Sequence, residues 1–202
     1  MTATARTPAR RLSPAQRQAT ILDAARAAFA DASYADVGVP AIARAAGASP
    51  ALVFHYYGSK AGMYEAVVAD ALAELAEAQA SADAGLPPNT PARDRVRTWV
   101  LAHLDHVAAR PRAWASGWTG AEEPAGALER RALARAGAVE FLSGVLRPEG
   151  GRRHRFAVLG FLGFLDRCCL AWVEHGCPED ERWPLVEASL GALEGALGDW
   201  GG

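Results

Sequence analysis

The 202-residue sequence predicts an all-α chain of about nine helices. Apolar residues recur at helical spacing almost throughout, without convincing strand alternation. The apolar segments are set apart by proline, glycine and Ser/Thr, the punctuation that starts and stops helices. Half of the residues are apolar and alanine is abundant, which favours helix and suffices to bury a real core.

Residues 1–13, rich in Arg, Thr, Ala and Pro, read as a flexible basic arm. Ser13 is placed to cap a first helix over 14–32, with Pro14 at its first position and Ile21, Ala25 and Phe29 as its apolar stripe. A short second helix is expected over 39–46, opened by Gly38 with Pro40 in its first turn and closed by Gly47. Ser49 caps a short third helix that starts at Pro50 and ends at Gly58. Ser59 caps a long fourth helix over 59–83, striped by Tyr64, Val68, Leu72 and Leu75. Beyond the loop at 85–91, Thr90 is expected to cap a fifth helix reaching residue 110. A short helix bearing Trp114 and Trp118 lies between Pro111 and the 117–124 stretch. Helices over 125–146, 152–175 and 181–200 complete the chain. The expected division is a helix-turn-helix unit over 14–58 and a larger helical body over 59–202.

Charge is unevenly spread. Arg6, Arg10, Arg11, Arg17, Arg26, Arg44 and Lys60 outweigh Asp23, Asp31 and Asp36, so residues 1–60 carry +4 and the remainder −6 of a net −2. A basic head on an acidic body is expected where one end meets a polyanion. The three cysteines, Cys168, Cys169 and Cys177, have neither disulfide-framework numbers nor metal spacing, and a reducing, cytoplasmic setting suits them. Packing is their simplest use; a thiol-based redox switch is an alternative. The strongly apolar run at 156–165 is too short to span a bilayer, and the N-terminus has no apolar core for a secretory signal, so no membrane is expected. No GxSxG, P-loop, dinucleotide fingerprint or Ser-His-Asp order occurs, so neither an enzyme nor a cofactor is expected.

Residues 38–57 read as a helix-turn-helix on physical grounds. Two short helices meet at a tight turn over 47–49, Ala43 allows them to cross closely, and Ile42 and Val53 are placed to pack between them. In such a motif the second helix enters the major groove. Over residues 17–68 the sequence resembles the TetR family of regulators. The carrying residues are Ile21-Leu22-Asp23-Ala24-Ala25 with Phe29 and Tyr34, then Val39, Ile42-Ala43 and Ala46-Gly47-Ala48-Ser49. The densest stretch is Val53-Phe54-His55-Tyr56-Tyr57-Gly58-Ser59-Lys60, with Met63 and Val67 following.

The resemblance implies that Ser49 caps the recognition helix and that Pro50, Ala51 and Leu52 occupy its DNA face. Tyr56 and Lys60 are implied phosphate contacts, with His55 as a further phosphate or base-edge contact. Gly38 and Val39 stand at the start of the second helix, and Arg10 and Arg11 on the arm would reach a minor groove. Three positions depart from the family pattern. Val37-Gly38 lacks the usual hydroxyl before the second helix, Ser33 replaces the usual glycine before Tyr34, and the recognition face is apolar. Contact with thymine methyls and indirect readout thereby gain weight over bidentate base recognition.

In the last helix Val186, Leu190, Leu193, Leu197 and Trp200 form a coiled-coil-like seam beside the small residues Ala188, Gly191, Gly195 and Gly198. The resemblance implies a homodimer through the last two helices, with Phe156 and Leu159 joining Val186, Leu190, Leu193 and Leu197. A two-fold dimer would present two recognition helices to a pseudo-palindromic duplex operator. Trp99, His103, His106, Trp114, Trp118, Phe141, Phe164 and Arg167 are candidates to line a pocket for a small apolar or aromatic effector. His103 and His106 share a helix face without an evident third ligand, so no metal is expected. The expected function is a repressor released from its operator by such an effector. A helical interaction module with weak or lost DNA specificity is the alternative from a different class.

Overall fold

The computed structural model describes residues 12–30, 32–118, 123–146 and 152–198. Among them are nine α-helices and no strand: α1 (Pro14–Ala30), α2 (Val39–Ala45), α3 (Pro50–Tyr57), α4 (Lys60–Ala84), α5 (Ala92–Ala109), α6 (Pro111–Ser116), α7 (Ala125–Leu146), α8 (Arg152–Glu174) and α9 (Glu179–Leu197). Arg10, Arg11 and Trp200 lie outside the described residues.

Local chemistry sets the boundaries. At α1 a reciprocal capping box forms: Ser13 Oγ accepts from the Gln16 N–H at 3.2 Å, and Gln16 Oε1 accepts from the Ser13 N–H at 2.9 Å. Between α2 and α3 the N–H of Ala48 reaches the Ala43 carbonyl at 2.8 Å and that of Gly47 the Arg44 carbonyl at 3.1 Å. This paired pattern requires a left-handed residue at its turn, and Gly47 supplies it at φ 60°. Ser59 caps α4 by accepting from the Gly62 N–H at 3.0 Å. Thr90 does not cap α5. Pro91 holds the cap position without a side-chain bond, and the Thr90 hydroxyl donates back to the Pro87 carbonyl at 2.7 Å, closing the preceding loop.

Two apolar cores form. The head core gathers Ile21, Ala25 and Phe29 of α1, Val39, Ile42 and Ala43 of α2 and Val53 of α3 around Met63, Tyr64 and Val68 of α4, with Ala127 of α7. The body core joins one face of α5 to α7, α8 and α9. Division of the chain at residue 58 therefore follows the connection between helices and not the packing, because α4 completes the head.

α8 and α9 pack against each other. α8 is long and apolar enough, by length and composition, to cross a membrane, so the apolar character extends beyond the 156–165 run. Its buried side, including Phe161, Leu162, Leu165 and Trp172, is committed to the body core.

The α3–α4 junction tolerates no side chain at Gly62. A Cβ there would fall inside contact distance of the Tyr57 carbonyl oxygen, which is backbone and cannot swing aside. Gly62→Ala should therefore lower the unfolding free energy by about 1–3 kcal/mol, measured by urea denaturation. An unchanged midpoint would show that the junction can open without cost.

Candidate nucleic-acid interface and interior cavity

α3, the candidate recognition helix, is fixed at its start and from behind. The Ser49 hydroxyl accepts from the Leu52 N–H at 3.2 Å, and Pro50 opens the helix. Val53 is buried against Ile42 and Ala43 in the head core. Arg17 of α1 donates to the Gly47 carbonyl at 3.4 Å, tying the turn to the first helix. The side facing away from the core carries Pro50, Ala51, Phe54 and His55, all exposed. Positions i, i+1, i+4 and i+5 share one side of a helix.

Several sequence-predicted residues fall elsewhere. Val39 is buried in the head core and cannot touch a duplex with its side chain. Leu52 is half-buried and packs on the same core, so it does not belong to the exposed face. Gly38 is exposed and serves as the N-cap of α2 without a side-chain bond. Tyr56 is half-buried, its ring edge-on to His55 at 5.4 Å. The Lys60 ammonium donates to the Ala35 carbonyl at 3.1 Å and sits 4.6 Å over the Tyr34 ring, so it braces the α1–α2 connection. Phe54, 43 % exposed, was not among the expected contacts. Its signal was present in the spacing from Pro50 and Ala51, but an aromatic in a helix reads first as core.

A cavity of about 720 Å³ runs between α4, α5, α7 and α8 and reaches Arg26 and Phe29 of α1. Trp99, His103, His106, Trp114, Trp118 and Phe141 line it, as expected of six of the eight candidates. Phe164 and Arg167 do not; they project from the exposed side of α8, and Asp166 faces the cavity in their place. Trp99 stacks on His103 at 5.9 Å and on Phe141 at 6.3 Å, and Trp114 meets His103 edge-on at 6.0 Å.

The sequence reading missed the polar part of the wall. Arg131 and Arg135 sit four residues apart on α7, a spacing that puts them on one face but equally describes a solvated stripe. Arg131 holds Glu123 through two 2.9 Å bonds, and the Tyr64 hydroxyl donates to the same carboxylate. Burial pushes the Glu123 carboxyl up, yet the bonds from Arg131 and Tyr64 outweigh it and hold it below its ordinary value. Arg135 pairs with Asp166, whose carboxyl burial raises and Arg135 only partly restores. Arg26 pairs with Asp70 at 2.6 Å and with Glu74, and Arg110 with Glu74 at 2.9 Å. These bridges tie α1, α4 and the end of α5 together along the cavity.

The expected dimer seam needs correction. Val186, Leu190, Leu193 and Leu197 are buried within their own chain, because the apolar seam of α9 faces α8 and α5. Phe156 and Leu159 are exposed, together with Phe164 on α8 and Ala188, Gly191 and Gly195 on α9. Burial raises all three cysteine thiols, which disfavours the thiolates that redox sensing requires. Among the described residues no group of three or more His, Cys, Asp or Glu could hold a metal.

Residues 21–67 match the family described as bacterial regulatory proteins, tetR family. The HTH-type transcriptional regulator BetI of Pectobacterium carotovorum subsp. carotovorum is 32 % identical over 110 residues, covering 53 % of this chain and 55 % of that protein. BetI of Stenotrophomonas maltophilia is 37 % identical over 103 residues, covering 48 % of each. The chain thus spans about half the length of the curated relatives it matches. A crystal structure of a tetR-family transcriptional regulator from Streptomyces coelicolor superposes with a TM-score of 0.73 at 21 % identity, covering 92 % of this chain and 80 % of that one. FadR from Bacillus subtilis in complex with stearoyl-CoA superposes with a TM-score of 0.66 at 18 % identity, covering 89 % and 97 %. At these identities the superpositions show a shared fold.

His103 has a consequence for stability. Burial first, then the neighbouring His106 and Arg135, push its pKa from 6.5 down to about 3. The unfolded chain takes up this proton below 6.5 and the folded chain only near 3. Stability present above the unfolded pKa is therefore lost as pH falls through that window. The melting temperature of a His103→Phe variant should fall less than that of the wild type between about pH 7 and pH 5. Parallel curves would contradict a neutral, buried imidazole.

Proposed function

We propose, from the match of residues 21–67 to the tetR family of bacterial regulatory proteins, that the chain is a TetR-type DNA-binding transcriptional regulator and not an enzyme. It acts as a repressor, and a small apolar or aromatic molecule in the cavity releases it from a duplex operator. The observation that carries this reading is the sharing of α4. Met63, Tyr64 and Val68 belong to the core that holds the recognition helix, while Tyr64, Leu72, Leu75 and Gln79 line the cavity. A ligand that moved α4 would move α3. The switch needs an effector that binds the DNA-incompetent arrangement more tightly, because equal affinity for both shifts nothing. A partner of duplex DNA implies a cytoplasmic protein.

Duplex recognition is assigned to Pro50, Ala51, Phe54 and His55, with Tyr56 at the edge of the face and Gly38 and Ser49 offering helix-terminal N–H groups. Lys60 adds positive charge near the backbone while bracing the head. The arm residues Arg10 and Arg11 keep their proposed minor-groove role. With an apolar face, sequence is read by contact with thymine methyls and by duplex shape.

The protein is proposed to work as a two-fold homodimer. Phe156, Leu159 and Phe164 form an exposed apolar row at helical spacing, and the exposed Gly160, Gly163, Gly191 and Gly195 permit close approach of a second α8–α9 pair. Such a pairing presents two copies of α3 to a pseudo-palindromic operator.

Fluorescence anisotropy with the DNA flanking the gene, against a random duplex, tests the first claim. Binding should be selective and weaken steeply with salt. Phe54→Ala should cost about tenfold on the operator and little on the random duplex, whereas Lys60→Ala should weaken both alike. Weak, equal binding to every duplex tried would favour the interaction-module reading, for which the exposed Phe54 is then the contact. Sedimentation equilibrium tests the second claim. Phe164→Glu should yield a folded monomer with lowered operator affinity, and a dimer that survives both Phe164→Glu and Leu159→Glu would move the interface elsewhere.

A further inference from the structure

The wall of the cavity has a definite polarity. Four arginines line it, and each is already matched to a carboxylate: Arg26 with Asp70 and Glu74, Arg110 with Glu74, Arg131 with Glu123, and Arg135 with Asp166. A carboxylate ligand would have to break one of these pairs to find a cation. An ammonium ligand would have to displace Arg135 to reach Asp166. Breaking the Arg131 or Arg135 pair leaves the buried carboxylate of Glu123 or Asp166 uncompensated, which is costly, while the more exposed pairs of Arg26 and Arg110 still spend their charge on Asp70 and Glu74.

Hydrogen-bonding capacity is nevertheless left over in the wall. Both ring nitrogens of His103, the Nε2 amide of Gln79 and the Nε of Arg26 are buried without a hydrogen-bond partner. His103 is 7 % exposed and Gln79 9 %, and both line the cavity. Buried polar atoms of native proteins are nearly always satisfied. The Arg26 guanidinium already spends its charge on Asp70 and Glu74, so the neutral orphans of His103 and Gln79 mark where a ligand's polar group belongs. The neutral imidazole offers one donor and one acceptor, and the Gln79 amide a donor. Around them the surfaces are flat and apolar. Trp99 lies within 11° of parallel with His103 and within 16° of Phe141.

On the reading that this cavity holds the effector, we propose that it takes an uncharged, planar aromatic molecule bearing a hydroxyl or carbonyl group, which His103 and Gln79 receive. The apolar body lies among Trp99, Trp114 and Phe141, and formally charged analogues are excluded by the paired arginines.

A ligand series on one tricyclic skeleton separates the contributions: phenanthrene, phenanthren-2-ol, phenanthrene-2-carboxylate and a phenanthrene bearing a trimethylammonium group. Binding to the full chain is followed by quenching of tryptophan emission, with no DNA present. The phenol should bind best, by about three- to tenfold over the bare hydrocarbon, the range one net hydrogen bond supplies. Both charged analogues should bind more weakly than phenanthrene. In His103→Phe, which keeps a flat ring but no nitrogen, the advantage of the phenol should shrink to near unity while phenanthrene still binds. His103→Leu and Gln79→Leu provide second variants, and the ranking in the wild type requires no variant at all. A charged analogue that binds as well as the phenol, a phenol advantage that persists in His103→Phe, or no binding by any of the four overturns the proposal. Operator release is measured separately. A phenol that binds as expected and leaves operator affinity unchanged counts against the switch and not against the ligand class.

Discussion

α4 is a single helix with duties in two cores, and the rest of the architecture depends on that constraint. Its 25 residues extend about 37 Å. The first turns are locked into the head by Met63, Tyr64 and Val68, and the later turns form one wall of the cavity. A continuous helix transmits displacement along its length because each turn is hydrogen-bonded to the next. Gly62 lets this helix start directly against the last carbonyl of α3, so little slack exists between the wall of the cavity and the recognition surface.

Electrostatics reinforce the connection. Arg26 reaches from α1 to Asp70 and Glu74 on α4, and Glu74 is also held by Arg110 at the far end of α5. Tyr64 extends from the head core to Glu123, which Arg131 of α7 clamps. Partly exposed bridges of this sort contribute little to stability individually. Their value here is geometric, since they define which position of α4 is compatible with intact pairs. The same pairing leaves the cavity with aromatic surface and a few neutral hydrogen-bonding groups, a combination that suits selective binding of an uncharged guest.

Sidedness organises the surface in the same way. α3 buries Val53 and turns Phe54 and His55 outward, and α8 buries Phe161 and Leu165 and turns Phe156 and Phe164 outward. In each helix an apolar residue lies on the exposed side, beyond what the chain's own core uses. On α3 that surplus is available to the proposed duplex, and on α8 to the proposed second copy.

The sequence alone determined the helices and their order. Ser13, Ser49 and Ser59 as caps, and Gly47 as a turn, act through bonds between residues a few positions apart, so their effect is readable without a fold. The Phe54–Lys60 run identified the head for the same reason: its pattern is local. Tertiary structure alone decided which side of each helix is spent inside the chain. The seam Val186, Leu190, Leu193 and Leu197 has the spacing of an interface between subunits, yet those residues are buried in their own core, because a heptad pattern marks an apolar face without naming its partner. Phe164 and Arg167 looked like pocket residues beside Asp166, but only one side of α8 can face the cavity. Nothing in their local spacing separates Arg131, Arg135 and Gln79 from solvated positions. They became part of the wall because the chain folds their surroundings onto them: Glu123 returns from the segment before α7, Asp166 is brought by α8, and the cavity is closed by helices distant in sequence.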